Sequence, residues 1–530
     1  MLLFGGLDDQ LGSYIWSLIA GSKNLEYILR FQPYRDSFLP YLNPLTSSEP
    51  LMWLYYSILV KIFGHYTQVA LIGITLLLTF YFTHRLFKGY KFSLVLTLIF
   101  CFSSYMWLHI AIHPDLAQIW VIPFFIGTLI DATRGSSQNY KVGLALVISS
   151  LFSNYYGFIL FLFMVGFHLG GLFIKQDRKK QVTLMITQFG VATVLLVAFL
   201  YPYISANYLS SNLGGKSIEE SRHLVLKRPI EDYFFFSVRP WYFILPPKNN
   251  PFLGAITESA VTSLSETRHY LLDDYFAGEH SGLYFGTLLN ICIIFMLAIH
   301  LKKNRILTLL DSNIKVGIFS GCLLLLLISM PPYVSLLSAK LYTPGYLVYR
   351  LFPMIRVTAR VSVVLLLCHL LLLAYLLHKA GIGEKVKGTY KLILPVLFLL
   401  ITLGETFIPV SISYFDKRPL VYEYINSALP SGSVFAVYPY SRVEEPFLYL
   451  PVHNKYFLNI KGYVFSDITS EALTKSIPTD KGFSNLQTKN VQYLLLFKDG
   501  SEGTQVIMQN SNFKVMKEFE DAYLLKLKTD

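Results

Sequence analysis

The sequence predicts an α-helical polytopic membrane protein with a small α/β domain at its C-terminal end, and three observations carry that reading. Hydrophobic residues make up 53% of the 530 and charged residues only 15%, where a soluble domain has about a quarter charged. Ten apolar runs approach the ~20 residues that cross a bilayer. After residue 415 the apolar runs shorten to strand length and charges return.

The ten runs are 67-87, 92-108, 116-131, 141-153, 156-174, 181-203, 283-301, 314-330, 357-379 and 391-410, with 141-153 the shortest. Their connections sort by charge. RLFKGYK, DATRGSSQNYK, KQDRKK, HLKKNR and HKAGIGEKVKGTYK are basic, and they alternate with HIAIHPD and SNYYG, which hold no Lys or Arg. The positive-inside rule puts the basic set in the cytoplasm. The region before 67, the loops 109-115, 153-157, 204-282 and 331-356, and the tail after 411 then lie outside. This is the topology of a multi-pass plasma-membrane protein with an extracytoplasmic C-terminal domain.

That parity leaves residue 1 outside with no span to carry it there. The simplest repair is one further span upstream of Met1, giving about eleven spans and a cytoplasmic N-terminus. Residues 50-64, PLMWLYYSILVKIFG, are apolar but short, and counting them as a span would invert the charge pattern. They read as a helix in the outer interface or a re-entrant segment. The domains expected are thus an outer loop with interface helices over 1-66, a transmembrane domain over 67-410 with a large outer loop 204-282, and an outer α/β domain over 411-530.

In that last domain RPLVYEYINSAL has helical spacing, SVFAVYPY and VQYLLLFKD read as strands, and FKVMKEFEDAYLLKLK reads as strand, turn at Glu520-Asp521, strand. The net charge of +12 does not argue for nucleic acid, because the cations sit in short clusters between apolar runs. Cys101, Cys292, Cys322 and Cys368 all fall inside apolar runs, where a thiol is a small buried hydrophobe. They form neither a disulfide framework nor a zinc spacing.

Ionisable residues near the outer span ends are the candidate site, because such groups at the bilayer edge are costly unless paired or hydrated. Asp8 and Asp9 precede LGSYIWSLIA and suit catalysis or a helix N-cap. His109, His113 and Asp115 lie in HIAIHPD, where Pro114 and Asp115 would also suit the start of a helix at 116. Glu279 and His280 lead into the span at 283. Acids and histidines from separate loops suit a divalent cation by donor type, although the spacing is no metal motif. Arg356 and Arg360, four apart, would share a helical face, as interfacial anchors or as a fork for a phosphate. His168, His300 and His378 sit toward cytoplasmic ends and read as structural, while Glu405 near the outer end of the last span would suit an arginine partner.

The layout resembles the GT-C superfamily of membrane glycosyltransferases, most closely the bacterial YfhO-like membrane proteins. The stretches that carry the resemblance are HPDLAQIWVIPFF, SVRPWYFILPPKNNPFLG, GEHSGLYFGTLLN, FPMIRVTARVSVVLLL, YLPVHNKYFLNIKGYVF and NVQYLLLFKDG, with the acidic pair in a first outer loop. They run in order along nearly the whole chain as loose patterns of aromatic, Pro, Gly and charge. The chain departs from the family layout in lacking the first span.

The resemblance implies transfer of a sugar from a polyprenyl-phosphate donor to a cell-envelope glycan, lipid or protein on the outer face, with inversion. Asp8 or Asp9 would match the first-loop general base, a carboxylate that is ionised at neutral pH and able to take the acceptor's proton. Arg356 and Arg360, with His280, Glu279, His113 and Asp115 around them, would bind the substrate and the departing phosphate. Metal dependence differs within the superfamily, so a divalent cation stays open. Two other classes compete: a lipid or polysaccharide flippase, which would favour inverted repeats and mid-span charges not found here, and a non-catalytic membrane assembly protein.

Overall fold

A computed structural model describes residues 2–4, 49–63, 66–113, 115–135, 139–173, 178–204, 229–267, 278–302, 312–336, 339–353, 355–382, 390–410, 412–414, 420–443, 445–449, 453, 455–459 and 468–528. Asp8 and Asp9 lie outside the described residues. The chain divides into two compact units: residues 70–199 with 225–411, and residues 1–69, 200–224 and 412–530.

The larger unit is a helical bundle. Its helices are α1 (Thr67–Phe87), α2 (Ser93–Cys101), α3 (Ser104–Ile112), α4 (Val121–Thr133), α5 (Tyr140–Phe152), α6 (Asn154–Leu172) and α7 (Arg178–Ile204). Within 204-282 lie the helices Ile230–Phe235 and Gly254–Thr267 and then α8 (Gly278–Ser281), followed by α9 (Thr287–Lys302), α10 (Asn313–Ser329), α11 (Ser362–Ala380) and α12 (Tyr390–Thr406). Each of the ten apolar runs contains a helix. Among the described residues five stretches, Thr67–Phe87, Ser93–Ile110, Asn154–Leu172, Arg178–Tyr201 and Thr358–Ala380, are long and apolar enough to cross a membrane, and the other apolar helices are shorter. At 1.5 Å per residue, α4 and α5 are only about 20 Å long.

Two runs depart from the expected continuous spans. The run 92-108 is split at Phe102-Ser103, where Ser103 is extended (φ −65°, ψ 159°) and its side chain caps α3 by accepting from the Met106 N–H. The helix expected from 116 begins only at Val121, so the reading of Pro114-Asp115 as a helix start is corrected. The reason is local: the Tyr156 hydroxyl donates to the Leu116 carbonyl, and the buried Gln118 side chain accepts from the Trp120 indole at 2.9 Å and joins Thr75 Oγ1 at 2.8 Å. These side chains take the backbone and polar groups that a helical turn would have used.

Helix direction alternates through the bundle. At the end that carries the basic loops, Arg85 of α1 meets Asp131 of α4 at 3.4 Å, and Lys315 at the start of α10 donates to the Tyr375 hydroxyl near the end of α11 at 2.9 Å. Inside, hydroxyls of Thr79, Thr97, Ser149 and Ser150 donate to carbonyls four residues back, which keeps buried polar groups satisfied where lipid offers no partner. His168 is structural as expected, bonded through one ring nitrogen to Gln181 and through the other to Gln188.

The tightest seam is between α6 and α10, where small residues let the backbones meet. A Cβ on Gly166 would lie 2.8 Å from the Gly321 Cα, and one on Gly170 would strike the Ser320 side chain. On the facing helix, Gly317 and Gly321 lie under the rings of Phe167 and Phe163.

In the smaller unit residues 2–4 pair antiparallel with 412–414, and Pro50–Phe63 is a 14-residue helix. Its main body is a five-stranded sheet of β1 (Val434–Tyr438), β2 (Tyr456–Phe457), β3 (Tyr493–Phe497), β4 (Phe513–Glu518) and β5 (Ala522–Leu527), in the order β2-β1-β3-β5-β4. The first three strands are parallel, while β5 runs antiparallel to both β3 and β4. Alternation along the strands builds two cores. Phe435, Val437, Leu495 and Phe497 face Val421, Tyr422 and Ile425 of the helix Leu420–Ala428. Ala436, Leu494 and Leu496 face Leu473, Leu486 and Ile507 of three later helices.

Replacing Gly166 by Leu is expected to destabilise the bundle by about 1–3 kcal/mol through overpacking at the α6–α10 seam. Thermal unfolding in detergent checks this, with Gly73→Leu as the control, since a Cβ there meets nothing within 4 Å.

Candidate functional site

The candidate site is built at the end of the bundle away from the basic loops. The capped break at Ser103 aims α3 so that its last turn carries His109, and His113 follows one turn later. Ser104 Oγ donates to the Tyr284 carbonyl at 2.8 Å, which fastens α3 to the GEHSGLYFG segment. Gly282 keeps the approach close there, since a Cβ would come 3.1 Å from the Tyr105 ring. Glu279 stands in α8 on that segment, and Arg360 stands in the 3₁₀ turn Thr358–Val361 at the head of α11.

These residues meet on one carboxylate. Arg360 donates to Glu279 through Nη2 at 2.6 Å and Nε at 3.4 Å, a two-pronged contact that suits the planar guanidinium. The guanidinium lies over the Tyr155 ring, 4.2 Å from its centre. His109 Nε2 is 3.6 Å from one Glu279 oxygen and His113 Nε2 is 3.7 Å from the other. Tyr105 packs its ring 4.3 Å from that of His109 and shares a hydroxyl contact with Tyr156 at 3.2 Å. Glu279, Arg360 and His109 are all largely buried, at 13%, 9% and 1% side-chain exposure, whereas His113 is 30% exposed and opens outward.

The electrostatics follow from the pairing. Burial alone would raise the Glu279 carboxyl, but the charge and hydrogen bonds of Arg360, helped by the histidines, outweigh it and hold it down to about 2. Glu279 is therefore an ion at any physiological pH and is no proton donor. His280 next to it is lowered to about 3, chiefly by burial and then by the nearby Arg239 charge. It is neutral, 1% exposed and stacked 4.2 Å from the Tyr242 ring. His280 therefore brings no charge to a phosphate at neutral pH.

The fork expected of Arg356 and Arg360 is also corrected. Residues 355–357 are not helical, so the two do not share a helical face: the Ala359 N–H is bonded to the Phe236 carbonyl, which holds the strand-like approach to the 3₁₀ turn. Arg356 instead meets Asp232 at 3.3 Å and lies over the Phe236 ring. Asp115 sits half-buried in the turn after His113. Glu405 is bonded not to an arginine but to the Leu288 N–H at 3.1 Å, at the start of α9.

Sequence reading missed Asp232, Tyr155 and Arg239. Asp232 stands in the short helix Ile230–Phe235 and Tyr155 in the first turn of α6, neither with a spacing signal. Arg239, 5% exposed, donates to the carbonyls of Phe234 and Ser237, and a basic residue inside the aromatic run FFFSVRPWYF was its only trace.

His109, His113 and Glu279 also hold three donor atoms within 4.8 Å of one another. Two imidazoles and a carboxylate suit a borderline divalent ion, and both ring nitrogens of the buried His109 lack a hydrogen-bond partner, as a ligand in waiting would. The donor set therefore fits a cation, with Arg360 as its competitor for Glu279.

Arg360→Gln is expected to cost about 3–5 kcal/mol, because it leaves Glu279 buried and unpaired. The lowered carboxyl supplies stability that is full above its ordinary range and lost as pH falls toward 2. The gap in unfolding temperature between parent and Arg360→Gln should hence narrow below about pH 4.5, and Glu279→Gln should show no such pH dependence from this site.

No protein-family model matches the chain, and no curated protein is similar to it in sequence. Solved structures are similar in fold. The oligosaccharyltransferase of Archaeoglobus fulgidus, solved in complex with Zn and sulfate, has a TM-score of 0.50 at 11% identity over 93% of this chain. Arabinofuranosyltransferase AftD from Mycobacteria gives 0.48 at 10% identity over 100% of the chain, and ArnT from Cupriavidus metallidurans, solved with undecaprenyl phosphate, gives 0.42 at 10% over 99%. The chain spans 64% of the oligosaccharyltransferase, 41% of AftD and 94% of ArnT. With five helices among the described residues long and apolar enough to cross a membrane, the chain is a multi-pass membrane protein whose fold is similar to that of the archaeal oligosaccharyltransferase.

Proposed function

We propose that the chain is an integral membrane glycosyltransferase, moving a sugar from a polyprenyl-phosphate donor to a glycan, lipid or protein of the cell envelope with inversion. The observation that supports it most is the Arg360–Glu279 pair with His109 and His113 on the same carboxylate, at the helix ends away from the basic loops. Charged groups buried at such a position are rarely retained without a use.

On this reading Glu279 is the holder and Arg360 the tool. The carboxylate, permanently ionised, fixes the guanidinium flat over Tyr155, so that a phosphate arriving from the open side meets a preoriented cation. His113 and Arg356 are the partly exposed members and contact the phosphate oxygens first, with Arg356 exchanging Asp232 for them. Asp115, in the turn beyond His113, contacts the sugar hydroxyls. His280 is a neutral wall behind Glu279. A divalent cation on His109, His113 and Glu279 would, when bound, add charge stabilisation for the leaving phosphate.

The base is Asp8 or Asp9. An ionised carboxylate takes the proton of the acceptor hydroxyl as that oxygen attacks the anomeric carbon, while the carbon–oxygen bond to the lipid phosphate breaks on the opposite face.

Membranes carrying the full-length protein, supplied with polyprenyl-phosphate sugars, test this. One of Asp8→Asn and Asp9→Asn should lose about 10²–10⁴-fold in transfer, and Arg360→Lys should lose transfer while retaining much of the pair with Glu279. Unchanged transfer in both Asn variants would sink the assignment of the base. Lipid movement across the bilayer without sugar transfer would favour a flippase instead.

A further inference from the structure

We propose that a groove in the wall of the bundle binds one acyl chain of an anionic phospholipid, with its headgroup at Lys91. The groove has a volume of about 510 Å³ and runs between α2, α9, α11 and α12. Its walls are Val95, Leu96, Leu373, Leu377 and Phe398 with their apolar neighbours, and Lys91 is the one charged residue among those that line it. Lys91 is exposed at the mouth, on the basic-loop end.

Size and charge choose the occupant. A helix with its side chains is about 10–12 Å across, so a cylinder of that width and this volume would hold little more than one turn. By volume the groove therefore suits a single hydrocarbon chain better than a partner's helix, and the chain's methylenes gain from each contact with the apolar wall.

The headgroup is chosen by what surrounds the mouth. Lys88 in the same turn and Arg85 in the last turn of α1 line, with Arg134, a neighbouring polar pocket of about 150 Å³, where Asp131 is the single carboxylate among the lining residues. Positive charge is in excess on both sides of the turn, at the level where basic pockets between membrane helices take anionic headgroups. The inference concerns a different end of the bundle from the Glu279 cluster and does not depend on the proposed transfer.

The test is native mass spectrometry of the full-length protein after delipidation, titrated with phosphatidylglycerol or phosphatidylcholine of identical acyl chains. The parent should retain one phosphatidylglycerol with about a fivefold preference over phosphatidylcholine. Lys91→Glu should abolish the preference. Leu397→Trp, at a groove residue half-exposed on its rim, should reduce retention of the bound lipid with the unfolding temperature kept. Equal retention of the two lipids by the parent, or phosphatidylglycerol binding unaltered in both variants, would overturn the proposal.

Discussion

The ion pair between Glu279 and Arg360 is the constraint on which the outer end of the bundle depends. The two residues are 81 positions apart, and each stands on a segment too short to hold its place alone, a single turn of helix and a 3₁₀ turn. Joined, they bring the head of α11 against α8, the end of α3 through His109, and the start of α6 through Tyr155. Cutting one partner away would leave a charge with no solvent to turn to, and that asymmetry fixes the arrangement more firmly than the net strength of the pair.

Around that fixed point the protein keeps its interior polar groups closed on themselves. Ser103 caps α3, Asn250 donates to the carbonyls of Gly404, Glu405 and Phe407 at the end of α12, and Glu405 receives the free N–H at the start of α9. Each device satisfies a helix terminus, where the backbone has no partner of its own. The ring nitrogens of His109 and of His280 are exceptions to this rule beside the Glu279 carboxylate.

Much of the bundle was legible in the sequence because hydropathy responds to length and composition, and every apolar run proved to contain a helix. What hydropathy does not register is where a helix breaks. Phe102-Ser103 and Leu116 to Trp120 lie within apolar runs, and their departures come from a serine cap and a tyrosine hydroxyl reaching from 40 residues away. The helix and four strands expected from the patterning after 415 correspond to Leu420–Ala428, β1, β3, β4 and β5, for alternation with turn residues is a local signal. The short strand β2, two residues long, has no such pattern to show. Of the candidate site, the participants His109, His113, Glu279 and Arg360 were visible as ionisable groups at span ends. Their pairing was not: a four-residue spacing made Arg356 and Arg360 look like partners, when each is bound to an acid more than 80 positions distant.

The same physics separates stability from function at this site. A buried ion pair roughly breaks even against a well-packed apolar pair of similar volume, so folding alone gives little reason to keep Glu279 and Arg360. Their neighbours sharpen the point. His109 is buried with both ring nitrogens unbonded, an arrangement that costs free energy and that a leucine would avoid. His113 and Arg356 lie at the open side, where a ligand can reach them. A cluster that is expensive within and accessible at its rim is suited to a guest from outside, and its guanidinium and imidazole nitrogens make an anion the complementary one, as the proposed function requires.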